Sequence, residues 1–260
     1  MKRQMSVAGS FYPSSKSELE NFFEYFGKLY ESSNLPKANP KAIIVPHAGY
    51  IYSGFTADVA YRILQNSNPE NILIIGPSHR VGFNGVSVGD FDDYESPLGE
   101  IKAAISLASE LKNKFGLQFI KEAHFEHSTE TQFPFVKHYL PNAKIIEIVY
   151  SKTNSDFLSE IINFALDYQN TCVVISTDLS HFYNLHDANI LDQICLKSVS
   201  TLDIAKLQSG CEACGKIGVE AMIKSAKKFG LEPHLLDYRT SADVSKDENR
   251  VVGYMSAYFE

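Results

Sequence analysis

Hydrophobic residues along this chain form short, nearly uninterrupted runs that alternate with longer segments of helical spacing. The apolar runs include AIIV at 42–45, ILIIG at 72–76, IIEIVY at 145–150 and TCVVIST at 171–177. Runs of this length are typical of strands that are buried on both faces. Because strands and helices alternate, the pattern predicts a three-layer α/β/α fold with a mostly parallel central sheet.

The segments between these runs carry the signals of helices. A capping box at residues 17–20 (SELE) predicts the start of a first helix, and apolar residues follow it at helical spacing. Further helices are predicted from Phe55, where the sequence reads FTADVAYRILQ, and over 155–168. Gly116 and Gly230 each follow a helical pattern and are typical C-terminal signals.

The last third of the chain changes character towards its end. Two or three helices are predicted between 187 and 229, followed by the strand-like segments 233–241 (PHLLDYRTS) and 251–259 (VVGYMSAYF). A polar loop joins these two segments, so some antiparallel pairing is expected there. The sequence contains no internal repeat, and we expect a single domain over residues 1–260.

The composition of the chain disfavours nucleic-acid-binding and membrane proteins. The net charge is −7, from 24 basic and 31 acidic residues, and no basic run is dense enough to follow a phosphate backbone, which disfavours nucleic-acid binding. The chain begins without the apolar segment of a signal peptide, and no apolar stretch approaches about 18 residues. These features predict a soluble, cytoplasmic protein without a membrane partner, in which the four cysteines are reduced.

Two histidines follow two of the predicted strands. His47 comes after AIIV and Pro46, and His79 comes after ILIIG, Pro77 and a serine. If the strands form a parallel crossover unit, both imidazoles lie at the carboxyl edge of the sheet, where open α/β folds bind ligands. Two imidazoles at that edge can share one metal ion. The alternative is that each histidine only forms hydrogen bonds at the end of its strand.

A carboxylate and a third imidazole follow the strand TCVVIST. Asp178 and His181 occupy the same kind of position as the first two histidines, which strengthens the hypothesis of a site. His181 has the residue type of a metal ligand or of a general acid/base, because the reference pKa of histidine is about 6.5. In the alternative interpretation, Asp178 is a helix N-cap and His181 is a surface residue.

Two further patterns are weaker. His127 and Glu130 lie three residues apart, so a helix would allow the carboxylate to orient the imidazole, although an ordinary surface pair has the same spacing. Cys211 and Cys214 form an isolated CxxC, which is a weak zinc signal. Cys214 precedes a predicted helix whose N-terminus could lower the pKa of the thiol, but the favoured interpretation is a buried, inert cysteine.

Several ordered motifs resemble those of the Memo-like family, and together they cover nearly the whole chain. They are VAGSFYP at 7–13, VPHAGYIYSG at 45–54, GPSHR at 76–80, EHSTETQFPF at 126–135, STDLSHF at 176–182, ACGKIGVEAM at 213–222 and DYRTSADVS at 237–245. That family is similar in fold to the class III extradiol ring-cleaving dioxygenases, which are non-haem iron enzymes. The resemblance implies that His47 and His79 are metal ligands and that His181 is the acid/base.

One position departs from the animal members of the family. Where they supply a cysteine as a third ligand, we align Val244, which cannot coordinate a metal, and the neighbouring Asp243 can. Two histidines and one carboxylate are the usual set for non-haem Fe(II). We therefore expect His47, His79 and Asp243 to hold a divalent metal ion, with Fe(II) preferred over copper or zinc. The alternative is that Asp243 caps its loop.

The first functional hypothesis is a metal-dependent, dioxygenase-like oxidoreductase that acts on a small substrate. Tyr50 and Tyr52 would line its cleft together with His127, Glu130, Asp178 and Cys214. A rival hypothesis is a non-catalytic module that binds a peptide or protein in the same cleft, as the phosphotyrosine-peptide binding of animal members implies, and a third is metal-assisted hydrolysis with zinc. For prokaryotic members the resemblance also implies a functional link to a radical SAM protein.

Overall fold

The computed structural model describes residues 1–30 and 35–260, and strands and helices alternate through most of this part of the chain. Its strands are β1 (Lys2–Arg3), β2 (Ala42–Val45), β3 (Asn71–Pro77), β4 (Val86–Val88), β5 (Asp93–Tyr94), β6 (Ile101–Lys102), β7 (Lys144–Tyr150), β8 (Thr171–Ser176), β9 (His181–Tyr183), β10 (Pro233–Thr240) and β11 (Val251–Phe259). Its α-helices are α1 (Lys16–Lys28), α2 (Tyr50–Leu64), α3 (Ile105–Phe115), α4 (His127–Glu130), α5 (Phe133–Tyr139), α6 (Ser155–Asp167), α7 (Leu185–Ser200), α8 (Ile204–Gln208), α9 (Lys216–Phe229) and α10 (Ala242–Ser245).

The helix ends follow their capping residues. Helix α1 begins two residues before the position that the capping box indicated, because the side chain of Ser15, and not that of Ser17, accepts the backbone N–H of Glu18. Helices α3 and α9 end at Gly116 and Gly230, both in the left-handed conformation, as their sequences predicted.

Eight of the strands form one mixed sheet. Seven follow the order β10-β11-β2-β8-β3-β7-β4, and β9 pairs with β11. The central strands β2, β8, β3 and β7 are parallel, whereas the pairings that involve β4, β9, β10 and β11 are antiparallel. The predicted parallel arrangement therefore holds for the centre of the sheet, and the antiparallel share is larger than expected. Strand β8 lies between β2 and β3, so the crossover through α2 skips one strand.

Helices cover both faces of the sheet, which gives the α/β/α layers. Because side chains alternate along a strand, Ile43 and Val45 join a core with α1, α2 and α5, while Ala42 and Ile44 join a second core with α3, α6, α7 and α9. A separate three-stranded sheet of β1, β5 and β6 holds the N-terminal residues.

The prediction of four reduced cysteines is wrong for two of them. Cys195 in α7 and Cys211 in the loop before α9 form a disulfide, because packing brings their Cα atoms to 4.9 Å. Cys172 is a free, buried thiol in β8, as expected for a core residue. Among the described residues, no helix has both the length and the apolar character needed to span a membrane.

Candidate metal centre

The carboxyl ends of three neighbouring parallel strands bring together the residues that the sequence singled out. His47 follows β2, Asp178 follows β8 and His79 follows β3. The rings of His47 and His79 lie 5.2 Å apart between centroids, which confirms that the two histidines converge. Because β8 lies between their strands, Asp178 emerges between them, and its carboxylate accepts the backbone N–H of His47 at 2.7 Å.

A third imidazole, that of His127, completes the cluster. Its ring centroid lies 4.5 Å from that of His79 and 5.3 Å from that of His47. Among the described residues, the donor atoms that converge to within 4.8 Å of one another belong to His47, His79 and His127. The sequence analysis predicted that His127 lines the cleft as a supporting residue. In the structure its imidazole is instead a member of the same cluster as His47 and His79.

Helix α4 carries His127, and close packing fixes this short helix against the sheet. A Cβ at Gly76 of β3 would lie 2.5 Å from the hydroxyl oxygen of Ser128, so only glycine permits this approach. The Ser128 hydroxyl donates to the carbonyl of Pro77 at 2.7 Å, and Thr129 donates to the buried carboxylate of Glu147 at 2.6 Å. These bonds tie α4 to β3 and β7.

The buried carboxylate of Glu126 orients two of the three imidazoles. One of its oxygens, Oε1, lies 3.1 Å from Nδ1 of His79 and 2.8 Å from Nδ1 of His127, and the other accepts the backbone N–H of His79 at 2.7 Å. Burial alone would raise the pKa of Glu126, but the hydrogen bonds from His127 and His79 outweigh it and lower the pKa. An ionised carboxylate only accepts, so both Nδ1 atoms carry protons and both Nε2 atoms are free to bind a metal.

The tautomer of His47 is set by Ser176. The Ser176 hydroxyl donates to the carbonyl of Ser128, and its oxygen accepts from the side-chain amide of Gln132 at 3.0 Å. Its second lone pair therefore faces Nδ1 of His47, 3.0 Å away, which must be the donor. Burial lowers the pKa of His47 to about 4, against the opposing charge of Asp178, so the imidazole is neutral and Nε2 presents a lone pair.

The thiol of Cys214 lies beside the same lone pair. Its Sγ is 3.3 Å from Nε2 of His47. Gly215 allows this placement, because a Cβ there would lie 2.6 Å from the Cβ of Thr177. Burial, followed by the charge of Asp178, raises the pKa of Cys214 to about 12, so the helix N-terminus does not lower the pKa of this thiol. Val244 is 44% exposed on α10, and the sulfur at the cluster is that of Cys214.

Asp243 and His181 lie outside the histidine cluster. The carboxylate of Asp243 accepts the backbone N–H of Thr240 at 2.8 Å and lines a separate polar cavity with Tyr238 and Lys246. The structure thus does not bring Asp243 to the histidines, because its carboxylate caps its own loop. His181 is half-buried on β9, where its backbone pairs with Val252 of β11.

The other predicted cleft residues divide by burial. Tyr50 is buried and donates its hydroxyl to the carbonyl of Thr131 at 2.7 Å, whereas Tyr52 is 39% exposed. Both line a cavity of about 1060 Å³ that Phe11 also borders. Glu130 does not orient His127, because its buried carboxylate is engaged by the N-terminal residues, and Glu126 takes that role instead.

Glu126 and Ser176 are the site residues that the sequence analysis missed. Glu126 directly precedes His127, and Ser176 lies two residues before Asp178. The signal that could have found Glu126 is its place as the first of the two carboxylates in the motif EHSTE, directly before the predicted cleft residue His127.

Comparisons with known proteins agree in covering nearly the whole chain. The family model described as "Memo-like protein" matches residues 3–258. A "MEMO1 family protein" of Metallosphaera sedula is 33% identical and aligns over 100% of this chain and 99% of its own length. Proteins with the same description from Aquifex aeolicus and Nitrosopumilus maritimus are 32% and 30% identical and align over at least 98% of each chain.

Proposed function

The chain belongs to the Memo-like protein family, and we propose that it is a metal-dependent oxidoreductase that acts on a small substrate at the three-histidine centre. The observation that carries this proposal is the convergence of His47, His79 and His127 with every Nδ1 atom held by an oxygen atom. With their Nδ1 atoms held, the three imidazoles present Nε2 atoms as ligands, and at His47 a bound metal would replace the contact of Nε2 with the Cys214 sulfur, which lies 3.3 Å away. A three-residue set also leaves coordination positions open for a substrate.

The donor chemistry fits a divalent transition metal. Neutral imidazoles suit iron, copper and zinc, and the Cys214 sulfur adds a soft donor within reach of the His47 side of the cluster. The carboxylate of Asp243, which favoured Fe(II) in the sequence analysis, is engaged by the backbone of its own loop. The ion that fits the three histidines is therefore a redox-active metal, either iron or copper. When bound, such an ion supplies Lewis acidity and electron transfer.

The residues around the cluster hold the three imidazoles in place and orient them. Glu126 fixes two imidazoles with one charge, and Ser176 fixes the third within a saturated set of hydrogen bonds. The side chain of His79 is 30% exposed, whereas that of His47 is almost fully buried, so a substrate approaches from the His79 side. We assign proton transfer to His181, three residues after Asp178, because the family resemblance places the acid/base there.

The finer architectural and cellular assignments belong to the same proposal. We propose that the α/β/α layers form one domain over residues 1–260 with the class III extradiol dioxygenase-like arrangement. We also propose a cytoplasmic location, which the sequence analysis predicted, and a functional link to a radical SAM protein, which the family resemblance implies. Each of these assignments is independent of the proposed metal centre.

A peptide-binding module is the second candidate function. The cavity of about 1060 Å³ supports it, because its walls include the exposed aromatic rings of Tyr25 and Tyr52 and it is larger than a metal-bound small molecule needs. In that case the cavity, and not the metal, would determine the affinity for the ligand.

The experiment is metal analysis of protein purified without chelators, in the wild type and in the His127→Ala and Asp243→Ala variants. We expect stoichiometric iron or copper in the wild type and in Asp243→Ala, and a strong loss in His127→Ala. Oxygen consumption is then measured with the loaded protein and a panel of small conjugated substrates. Wild-type protein that stays metal-free after incubation with iron, copper and zinc would refute the proposal.

A further inference from the structure

The N-terminal segment, residues 3–12, wraps around the buried carboxylate of Glu130. The backbone N–H groups of Ser6 and Val7 donate to this carboxylate at 2.7 and 2.8 Å, and the Tyr12 hydroxyl donates at 2.9 Å. The guanidinium of Arg3, which is 1% exposed, lies 2.8 Å from the same carboxylate. A fully buried ion pair with this many donors fixes the segment in one position, because any displacement would leave a charge unpaired.

The same segment presents one aromatic ring to the metal centre. Gly9 has a φ of +83° and allows a tight loop in which the Gly9 N–H donates to the Tyr12 carbonyl at 2.7 Å. This loop directs Phe11 onto His127, with ring centroids 4.6 Å apart and an interplanar angle of 30°. The Phe11 carbonyl accepts the N–H of Tyr50 at 2.7 Å, so its backbone is tied to the start of α2.

The N-terminal segment contacts helix α4 at two places. Its first residue, His127, packs against the Phe11 ring, and its last residue, Glu130, is the anchor of the N-terminal segment. His127 is thus held on two sides, by the close contact of its Nδ1 with the Glu126 carboxylate at 2.8 Å and by the stacked ring. Neither contact involves Nε2. The ring restricts rotation of the imidazole out of the cluster without competing for the metal.

We propose that the N-terminal segment positions His127 for metal binding and that Phe11 is the positioning residue through which it acts. The inference rests on the proposed metal centre. It adds that the affinity and geometry of the third ligand depend on a segment that lies more than a hundred residues away in the sequence. Phe11 also lines the large cavity, so the same segment forms both a wall of the cavity and a support of the centre.

The test compares Phe11→Ala with Phe11→Tyr and with the matched control Phe55→Ala. Phe55 is also half-buried and stacked on an aromatic ring, that of Tyr30 at 4.8 Å, but it does not belong to the histidine cluster. Cobalt(II) affinity is measured by competition with a chromophoric chelator. We expect Phe11→Ala to bind about tenfold more weakly, which is the effect typical of residues that orient ligands. Phe11→Tyr and Phe55→Ala should stay within about twofold of the wild type.

The proton NMR spectrum of the cobalt(II) protein identifies which ligand is affected. Each of the three bound imidazoles contributes one strongly shifted Nδ1–H signal. Phe11→Ala should displace or broaden one of them, that of His127, and leave the other two in place. Unchanged affinity and three unchanged signals would overturn the proposal, and so would equal losses in Phe11→Ala and Phe55→Ala. Failure of the wild type to bind cobalt, zinc, iron or copper would instead refute the metal centre itself.

Discussion

Replacing Glu126 with glutamine should weaken metal binding without removing a ligand. The carboxylate accepts Nδ1–H from His79 at 3.1 Å and lies in ion-pair contact with Nδ1 of His127 at 2.8 Å. Glutamine has nearly the same shape, and its carbonyl oxygen can keep both imidazole contacts. In the wild type the second carboxylate oxygen accepts the backbone N–H of His79 at 2.7 Å. In the variant the glutamine NH₂ group takes the place of that oxygen, and because both groups are donors, the hydrogen bond is lost.

The magnitude follows from the number of charge-assisted bonds. A charged acceptor makes a hydrogen bond about twice as strong as a neutral one, which corresponds to a difference of about 1 kcal/mol per bond. With two imidazoles affected, the Glu126→Gln variant loses about 2 kcal/mol of binding free energy, or about 30-fold in affinity. The unpaired N–H of His79 should also lower the free energy of unfolding by about 1–3 kcal/mol.

The assay is a competition titration of zinc and cobalt(II) against a chromophoric chelator at neutral pH, with urea unfolding of the metal-free variants as a folding check. Glu122→Gln is the matched control, because Glu122 is an exposed carboxylate only four residues upstream. A folded Glu126→Gln variant whose affinity falls by less than about threefold would refute the reasoning, since it would mean that charge on Glu126 does not support the two ligands.

Three further outcomes are expected. Asp243→Asn should bind metal as the wild type does while His127→Ala loses most of its affinity, and the reverse order in a chelator titration would restore the carboxylate to the ligand set. His181→Ala should keep its metal but lose about 10²- to 10⁴-fold in turnover once a substrate is identified, whereas metal loss on purification would make His181 a ligand. In the metal-free protein the pKa of His47 is about 4 in the folded state and about 6.5 in the unfolded state. Between these pH values the unfolded chain binds a proton at His47 that the folded chain does not bind. The free energy of unfolding should therefore fall as the pH decreases from about 6.5 to about 4. The fall should reach about 3 kcal/mol in urea unfolding, and a His47→Gln variant with the same pH slope would contradict it.

Local patterns predicted much of the fold and part of the site. Apolar runs and helical spacing identified the buried strands, and the placement of His47 and His79 after two of them predicted their convergence. That inference succeeded because parallel strands share a carboxyl edge whatever strand lies between them, and β8 does lie between. The antiparallel pairing of β10 with β11 was also expected, but the antiparallel pairing of β11 with β2 and the Cys195–Cys211 disulfide were not predictable in this way, since both depend on which distant segments become neighbours.

The sequence by itself thus determined the α/β layers, the family and two of the three converging histidines, because hydrophobic periodicity, ordered motifs and strand ends are properties of single segments. Only the tertiary structure decided the third histidine of the cluster and the residues that support it. His127 reaches the cluster because Gly76 lets α4 approach β3, and Glu126 serves two imidazoles because its carboxylate is buried between them. Asp243 had a suitable position in the sequence, but its carboxylate accepts the backbone N–H of Thr240 and does not belong to the set of donors that converge at the centre. Side-chain convergence depends on packing between segments far apart in the chain, and no local pattern encodes it.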